Sequence, residues 1–183
     1  MQLSSWSHIV TKQQGLSLAL SACSAATFLA CSAPAFADVT ALSPARQAEL
    51  LNSADPRLAK NKRLVFDLWR ELMDAHHVEA ADKYIAEDYI QHNPNIPNGR
   101  GAVAHFFGSL PRKEVQPTIR GLVSIVAERD LVVLSFVDDQ PDPRDNTKTF
   151  TTTWFDMLRV WNGKVVEHWD GGRINVPPRR PPE

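Results

Sequence analysis

Two stretches of this 183-residue sequence hold side chains suited to moving a proton or gripping a carbonyl group. The first runs Thr153-Trp154-Phe155-Asp156-Met157-Leu158-Arg159-Val160, then Trp161-Asn162-Gly163, then Lys164-Val165-Val166-Glu167-His168-Trp169-Asp170. Its alternation of apolar and polar residues predicts a β-hairpin, and register decides which side chains meet. If Asn162-Gly163 is a two-residue type I′ turn, Asp156 falls opposite Trp169. If Gly163 takes the left-handed place of a type I turn with a G1 bulge, Asp156 falls opposite His168. In that second register Asp156, His168 and Asp170 share a face with Leu158 and Val166, while Arg159, Glu167 and Trp169 take the other. Two carboxylates and an imidazole among apolar neighbours raise a carboxyl pKa by desolvation and like charge, as general acid-base chemistry near neutral pH requires. A solvated face, with Asp170 merely ending its strand before Gly171-Gly172, is equally open at this level.

The second stretch is Tyr89-Ile90-Gln91-His92-Asn93-Pro94. Alternation places Tyr89 and Gln91 on one side, Ile90 and His92 on the other. His92 and Asn93 could donate hydrogen bonds to a carbonyl or a developing enolate, or simply cap the turn before Pro94. No pair of histidines stands at zinc-ligand spacing with a glutamate, no acidic calcium loop is present, and no Gly-rich phosphate loop joins a strand to a helix. His76-His77 reads as a solvated pair at a helix C-terminus. No nucleophile elbow surrounds any serine, so Ser135 is not assigned that role. These spacings assign no metal ligands.

The elements that must carry these residues follow from caps and periodicity. Ser43-Pro44 and Asp55-Pro56 are helix starts, an N-cap followed by proline at the first helical position. The second helix carries Leu58, Leu64, Val65, Leu68, Trp69, Leu72 and Met73 as one apolar stripe. A third helix is expected over Glu79–Glu87, then an extended segment, the loop Asn93–Gly99, and a helix from Gly101 to Leu110 with Val103, Phe106, Phe107 and Leu110 buried. Thr118–Ala127, Leu131–Val137, Phe150–Val160 and Lys164–Asp170 read as strands, with a wide turn at Asp138–Asn146. Helices first and an antiparallel meander afterwards make the fold class α+β.

The N-terminus differs from the rest. Residues 1–37 carry no acidic residue and one lysine, Lys12, followed by the apolar run Leu16–Ala30 and the small-x-small site Ala35-Phe36-Ala37. This is the order of a secretory signal cleaved before Asp38, and it predicts a periplasmic or secreted protein. The alternative is acylation at Cys23, since Leu20-Ser21-Ala22-Cys23 resembles a lipoprotein box. Cys23 and Cys31 are the only cysteines, so the mature chain would hold no thiol for nucleophilic or metal chemistry. With Lys12 removed, 19 basic residues face 21 acidic ones, and nothing in that balance calls for nucleic acid. The expected organisation is a leader over 1–37, a helical lead-in over 38–60, one domain over 61–172 and a Pro/Arg-rich tail over 173–183. No membrane span is expected.

Tyr89-Ile90-Gln91-His92-Asn93-Pro94 through Pro97-Asn98-Gly99, Phe106, and Asp156-Met157-Leu158-Arg159 with Asn162–Asp170 together resemble the SnoaL-like polyketide cyclase group of the nuclear-transport-factor-2-like superfamily. The resemblance extends from about Asn61 to Asp170. It implies a cone-shaped α+β domain in which a curved, mainly antiparallel sheet and N-terminal helices enclose a pocket. It implies cofactor-free ring closure by intramolecular aldol chemistry, with an acid-base carboxylate on a late strand: Asp170 first, facing Asp156 in the bulged register. His168 would join them as a catalytic group, and Tyr89, His92, Asn93, Trp169 and Ser135 would contact the substrate, a small hydrophobic carbonyl compound. Ser135 stands where the family pattern has a pocket histidine, which keeps a second reading open: a pocket that binds a hydrophobic ligand without turnover. A homodimer through the outer sheet face, involving Trp154 or Trp169 and Phe155, is a further expectation of the resemblance.

Overall fold

The computed structural model describes residues 37–174; the predicted leader and most of the Pro/Arg-rich tail lie outside them. Ser43 and Asp55 start helices α1 (Pro44–Leu50) and α2 (Pro56–Leu68), each accepting a backbone N–H of the first turn through its side chain. α2 then changes winding. Trp69–Asp74 is π-helical, with the Ala75 N–H bonded to the Arg70 carbonyl. The expected regular stripe therefore holds only as far as Leu68. A π turn takes in an extra residue, so positions four and five apart come to the same side.

α3 is shorter than expected, Glu79–Tyr84, because the chain turns extended at Ile85 to begin β1 (Ile85–Gln91). α4 spans Arg100–Gly108 and buries Val103, whereas Phe106 and Leu110 are exposed, against expectation. The meander follows as β2 (Leu122–Glu128), β3 (Leu131–Asp142), β4 (Asp145–Trp161) and β5 (Lys164–Asp170). The predicted wide turn at Asp138–Asn146 is mostly strand, since Asp138 to Pro141 pair with Thr152 to Thr149 and extend the β3–β4 hairpin.

The strands form one open sheet in the order β1-β5-β4-β3-β2. Among the described strands only the β1–β5 pair is parallel, and it sets β1, first in sequence, beside the last strand. The inner face supplies Leu122, Ile125, Val132, Leu134, Leu158 and Val165, and these pack with Val65, Leu68, Leu72 and Val103 of the helices in one core cluster. Each such side chain contributes about 1.5–3 kcal/mol on burial. The fold is thus the expected α+β class, a mainly antiparallel sheet under helices, and the sheet does not close. Trp154 pairs with Phe136 and takes the inner face, unlike the exposed Phe155 of the outer face. His76 is not the solvated residue expected: it is buried, takes φ 60° and bonds through Nδ1 to the Pro111 carbonyl at 2.6 Å. Among the described residues no helix is long and apolar enough to cross a membrane.

Candidate functional site

The β4–β5 hairpin settles its register in a way neither sequence alternative contained. Asn162 (φ 49°) and Gly163 (φ 72°) are both left-handed, as a type I′ turn requires, and Trp161 pairs with Lys164. A bulge then follows inside the hairpin: Val160 pairs with Val165 but Arg159 pairs with Glu167, leaving Val166 unpaired. Asp156 consequently lies opposite Asp170, and Leu158 opposite His168. Turn and bulge coexist, and their combined offset still places Asp156, His168 and Asp170 on one face. Val165, rather than Val166, is the valine buried there. On the other face Arg159 and Glu167 are directly opposed, with Nε donating to Oε2 at 2.9 Å.

β1 adds the next side chains. Its parallel pairing sets Gln91 beside His168, and alternation brings Tyr89 to the same face. The His168 Nδ1–Gln91 Oε1 distance is 2.8 Å, and His168 Nε2 lies 2.8 Å from Asp156 Oδ1. The Gln91 amide is oriented by its other bonds: Nε2 donates to the Tyr89 hydroxyl at 3.2 Å, and Oε1 accepts the Asn93 N–H at 3.0 Å. Nδ1 of His168 therefore carries a proton and donates to Gln91. The remaining nitrogen, Nε2, shares one proton with Asp156. Burial pushes the Asp156 carboxyl above the ordinary carboxylate range, against the opposing pull of His168. Burial, with the charges of Asp170 and Asp156 nearby, likewise raises the Tyr89 phenol.

Asp170 is held separately. Its Oδ2 accepts from Asn93 Nδ2 at 2.7 Å and its Oδ1 from the Gly172 N–H at 2.6 Å. Asn93 is in turn oriented by Asn95, whose backbone and side-chain N–H groups both donate to Asn93 Oδ1. Gly172 fits because it lacks a side chain: a Cβ there would sit 2.4 Å from Asn93 Nδ2 and 2.7 Å from Asp170 Oδ1.

These groups line one wall of a cavity of about 300 Å³. The opposite wall is apolar and comes from the helices: Trp69 and Met73 of the π turn, Val103, Phe106 and Phe107 of α4. Phe106 is exposed in the helix because it faces this open cavity. Asp74 also lines it, and burial raises its carboxyl above the ordinary range despite a bond from the Arg120 N–H at 3.3 Å. Asp156, His168 and Asp170 each offer a ligand atom within 4.8 Å of the others, a spacing a divalent ion could use. Such an ion would have to break the His168–Asp156 bond, because both hydrogen-bonding nitrogens of His168 are engaged.

Of the eight residues the sequence singled out, Asp156, His168, Asp170, Tyr89 and Asn93 line this cavity. His92, Trp169 and Ser135 do not. The His92 and Trp169 rings stack on the outer face at 5.0 Å, His92 Nε2 meets Glu167 Oε1 at 2.9 Å, and Arg159 lies over Trp169. Their position follows from alternation, since Gln91, His168 and Asp170 point inward and their neighbours must point outward. Ser135 pairs with Phe155 on the outer face, while Leu134, next to it, pairs with Asp156. Its identity thus leaves the cavity chemistry untouched. Gln91, Asp74 and Trp69 were missed. Gln91 had a signal, its alternation with Tyr89; Asp74 and Trp69 had none beyond a helix stripe, because the π turn that aims them is not written in spacing.

Residues 66–168 match the family model described as a SnoaL-like domain. Among solved structures, the chain is similar to TsrD from Streptomyces laurentii, with 18% identity over 61% of this chain and 87% of that one, at a TM-score of 0.41. A polyketide cyclase so described from Acidithiobacillus ferrooxidans shares 20% identity over 61% and 86% of the two chains, with a TM-score of 0.43. An LEH-like epoxide hydrolase of M. tuberculosis shares 15% identity over 63% and 84%, with a TM-score of 0.45. No curated protein matches the chain.

Proposed function

The chain belongs to the SnoaL-like family, and from that premise we propose that the cavity is the active site of a cofactor-free lyase or isomerase acting on a small hydrophobic carbonyl compound. The observation that carries the proposal is the division of labour between two carboxylates on one face. Asp170 is held open to the cavity by two N–H donors and removes a proton from the carbon next to the carbonyl. Asp156 and His168 hold one shared proton and supply it to the carbonyl oxygen as charge develops there. The C–H electron pair becomes the enol C=C bond. Return of the proton at another position isomerises the substrate; attack of the enol carbon on a second carbonyl of the same molecule closes a ring. The apolar wall of Trp69, Val103 and Phe106 keeps water from competing and suits a hydrophobic body.

Exchange of ketone α-protons for solvent deuterium, followed by NMR on simple aryl ketones, tests this step without knowledge of the native substrate. Asp170→Asn should lower the exchange rate by about 10²–10⁴-fold, as loss of a positioned base does. Full exchange by a correctly folded Asp170→Asn protein overturns the proposal. A binding-only function draws on Ser135, which pairs on the outer face, and on the absence of a visible nucleophile; retained ketone binding with no exchange by the wild type would favour it. Export belongs to the same proposal. Cleavage after Ala37 would yield a chain starting at Asp38, and N-terminal sequencing of exported material distinguishes this from acylation at Cys23.

A further inference from the structure

A second cavity, of about 620 Å³, shares Met73 and Asp74 with the lining of the first. Its character differs. Lys113, Arg120, His76, Glu114, Gln116 and Thr118 complete its lining, so apart from Met73 it is polar. It lies beside the ordered segment that follows α4, where the His76 and His77 rings bond to the carbonyls of Pro111 and Lys113, and the Lys113 N–H donates to the Ala75 carbonyl at 2.9 Å.

Two cations of this lining stand out by having no ion pair among the described residues. Most arginines and lysines of the described residues are engaged: Arg70 with Asp67, Arg100 with Asp82, Arg112 with Glu79, Arg159 with Asp130 and Glu167, while Lys62 and Lys164 bond to carbonyls. The side chains of Lys113 and Arg120 make no hydrogen bond or ion pair among the described residues. Asp74 feels both charges, yet its carboxylate bonds the Arg120 backbone rather than the guanidinium and forms no ion pair with either side chain. Glu114 pairs with neither cation.

We propose that the substrate is amphiphilic: a carbonyl-bearing hydrophobic body in the first cavity and an anionic tail, a carboxylate or its equivalent, reaching the second between Lys113 and Arg120. This rests on reading the first cavity as the site of proton transfer. The tail would run past Met73, which lines both cavities and whose flexible thioether can move aside. Anchoring the tail would fix the ketone against Asp170 through binding remote from the reacting atoms.

Calorimetric titration with 6-oxo-6-phenylhexanoate and with its methyl ester tests the idea, because the two probes share the aryl ketone and differ in the terminal charge. Two exposed charge pairs amount to about a tenfold preference for the carboxylate at low salt, shrinking as salt is added. The Lys113→Met/Arg120→Met protein should bind both probes as the wild type binds the ester, and the single variants should fall between. Equal affinities in the wild type, a preference that survives the double substitution, or binding of neither probe overturns the proposal. Deuterium exchange measured on the same samples keeps the two readings apart. Exchange of the ester without any carboxylate preference sinks the tail alone; a preference without exchange sinks the proton-transfer reading alone.

Discussion

Replacement of Gly172 by alanine should damage turnover far more than stability. The backbone there is not left-handed, so alanine brings no conformational strain, and the whole effect is steric. A Cβ would stand 2.4 Å from Asn93 Nδ2, 2.9 Å from Asn93 Cγ and 2.7 Å from Asp170 Oδ1, where contacts of at least 3.4 Å are ordinary. Both neighbours are tips of short side chains, so they rotate away by up to about 1 Å rather than forcing the backbone apart. That movement breaks the 2.7 Å Asn93–Asp170 bond and loosens the 2.6 Å bond from the Gly172 N–H. Misplacing a catalytic group by about 1 Å costs about 10²-fold in rate, equivalent to about 2.7 kcal/mol of barrier. The stability cost is about 1 kcal/mol, because one hydrogen bond at the edge of the domain exchanges for bonds to water. Gly171→Ala is the matched control: its Cβ would meet only the Trp154 ring at 3.5 Å, an ordinary contact. Deuterium exchange of an aryl ketone and thermal melting at pH 7 read both effects. The expected result is a hundredfold slower Gly172→Ala protein melting within about 4 °C of wild type, beside a Gly171→Ala protein with unaltered exchange. Wild-type exchange by Gly172→Ala, or equal losses in both variants, would refute the assignment of Asp170.

Three further outcomes follow from the same geometry. Because burial raises the Asp156 carboxyl, its stabilising proton is fully held below the ordinary carboxylate range and is lost as pH rises through the raised value; Asp156→Asn should therefore gain on wild type in melting temperature as pH rises across that window while losing exchange activity, and parallel melting curves would contradict the buried-acid reading. His92→Ala should keep exchange within about threefold, whereas His168→Leu should lose about 10²-fold or more, since only His168 faces the cavity; the reverse ranking would return the site to the outer face. Dialysis against EDTA should leave exchange unchanged, and added Zn²⁺ should inhibit by competing for Asp156, His168 and Asp170. An EDTA-dependent loss restored by a metal would show that the three residues work as a metal site instead.

The α+β class, the two proline-headed helices and the family were legible in residue order, whereas the grouping of Asp156, His168 and Asp170 was legible in only one of the two registers the sequence left open. Each rests on a local rule: a cap, a periodicity, a turn dipeptide or a motif carried by consecutive residues. Asn162-Gly163 announced its turn in the same way. The bulge at Val166 did not, because Val165 and Val166 are chemically equivalent and only packing against the core chooses which is buried. That choice moved Asp156 opposite Asp170. The parallel pairing of β1 with β5 joins residues 77 apart, Gln91 with His168 and Asn93 with Asp170, and no local pattern encodes it. It took Gln91 into the cavity and left His92 outside. The π turn likewise aimed Trp69, Met73 and Asp74 at the same space, although the stripe in sequence continued without a break. Residue types thus determined which chemistry the described residues can perform: carboxylates, imidazole and amides, since Cys23 and Cys31 both lie outside residues 37–174. Long-range strand pairing and the extra residue in a helix turn decided which of those groups meet, because both are settled by burial of the whole core.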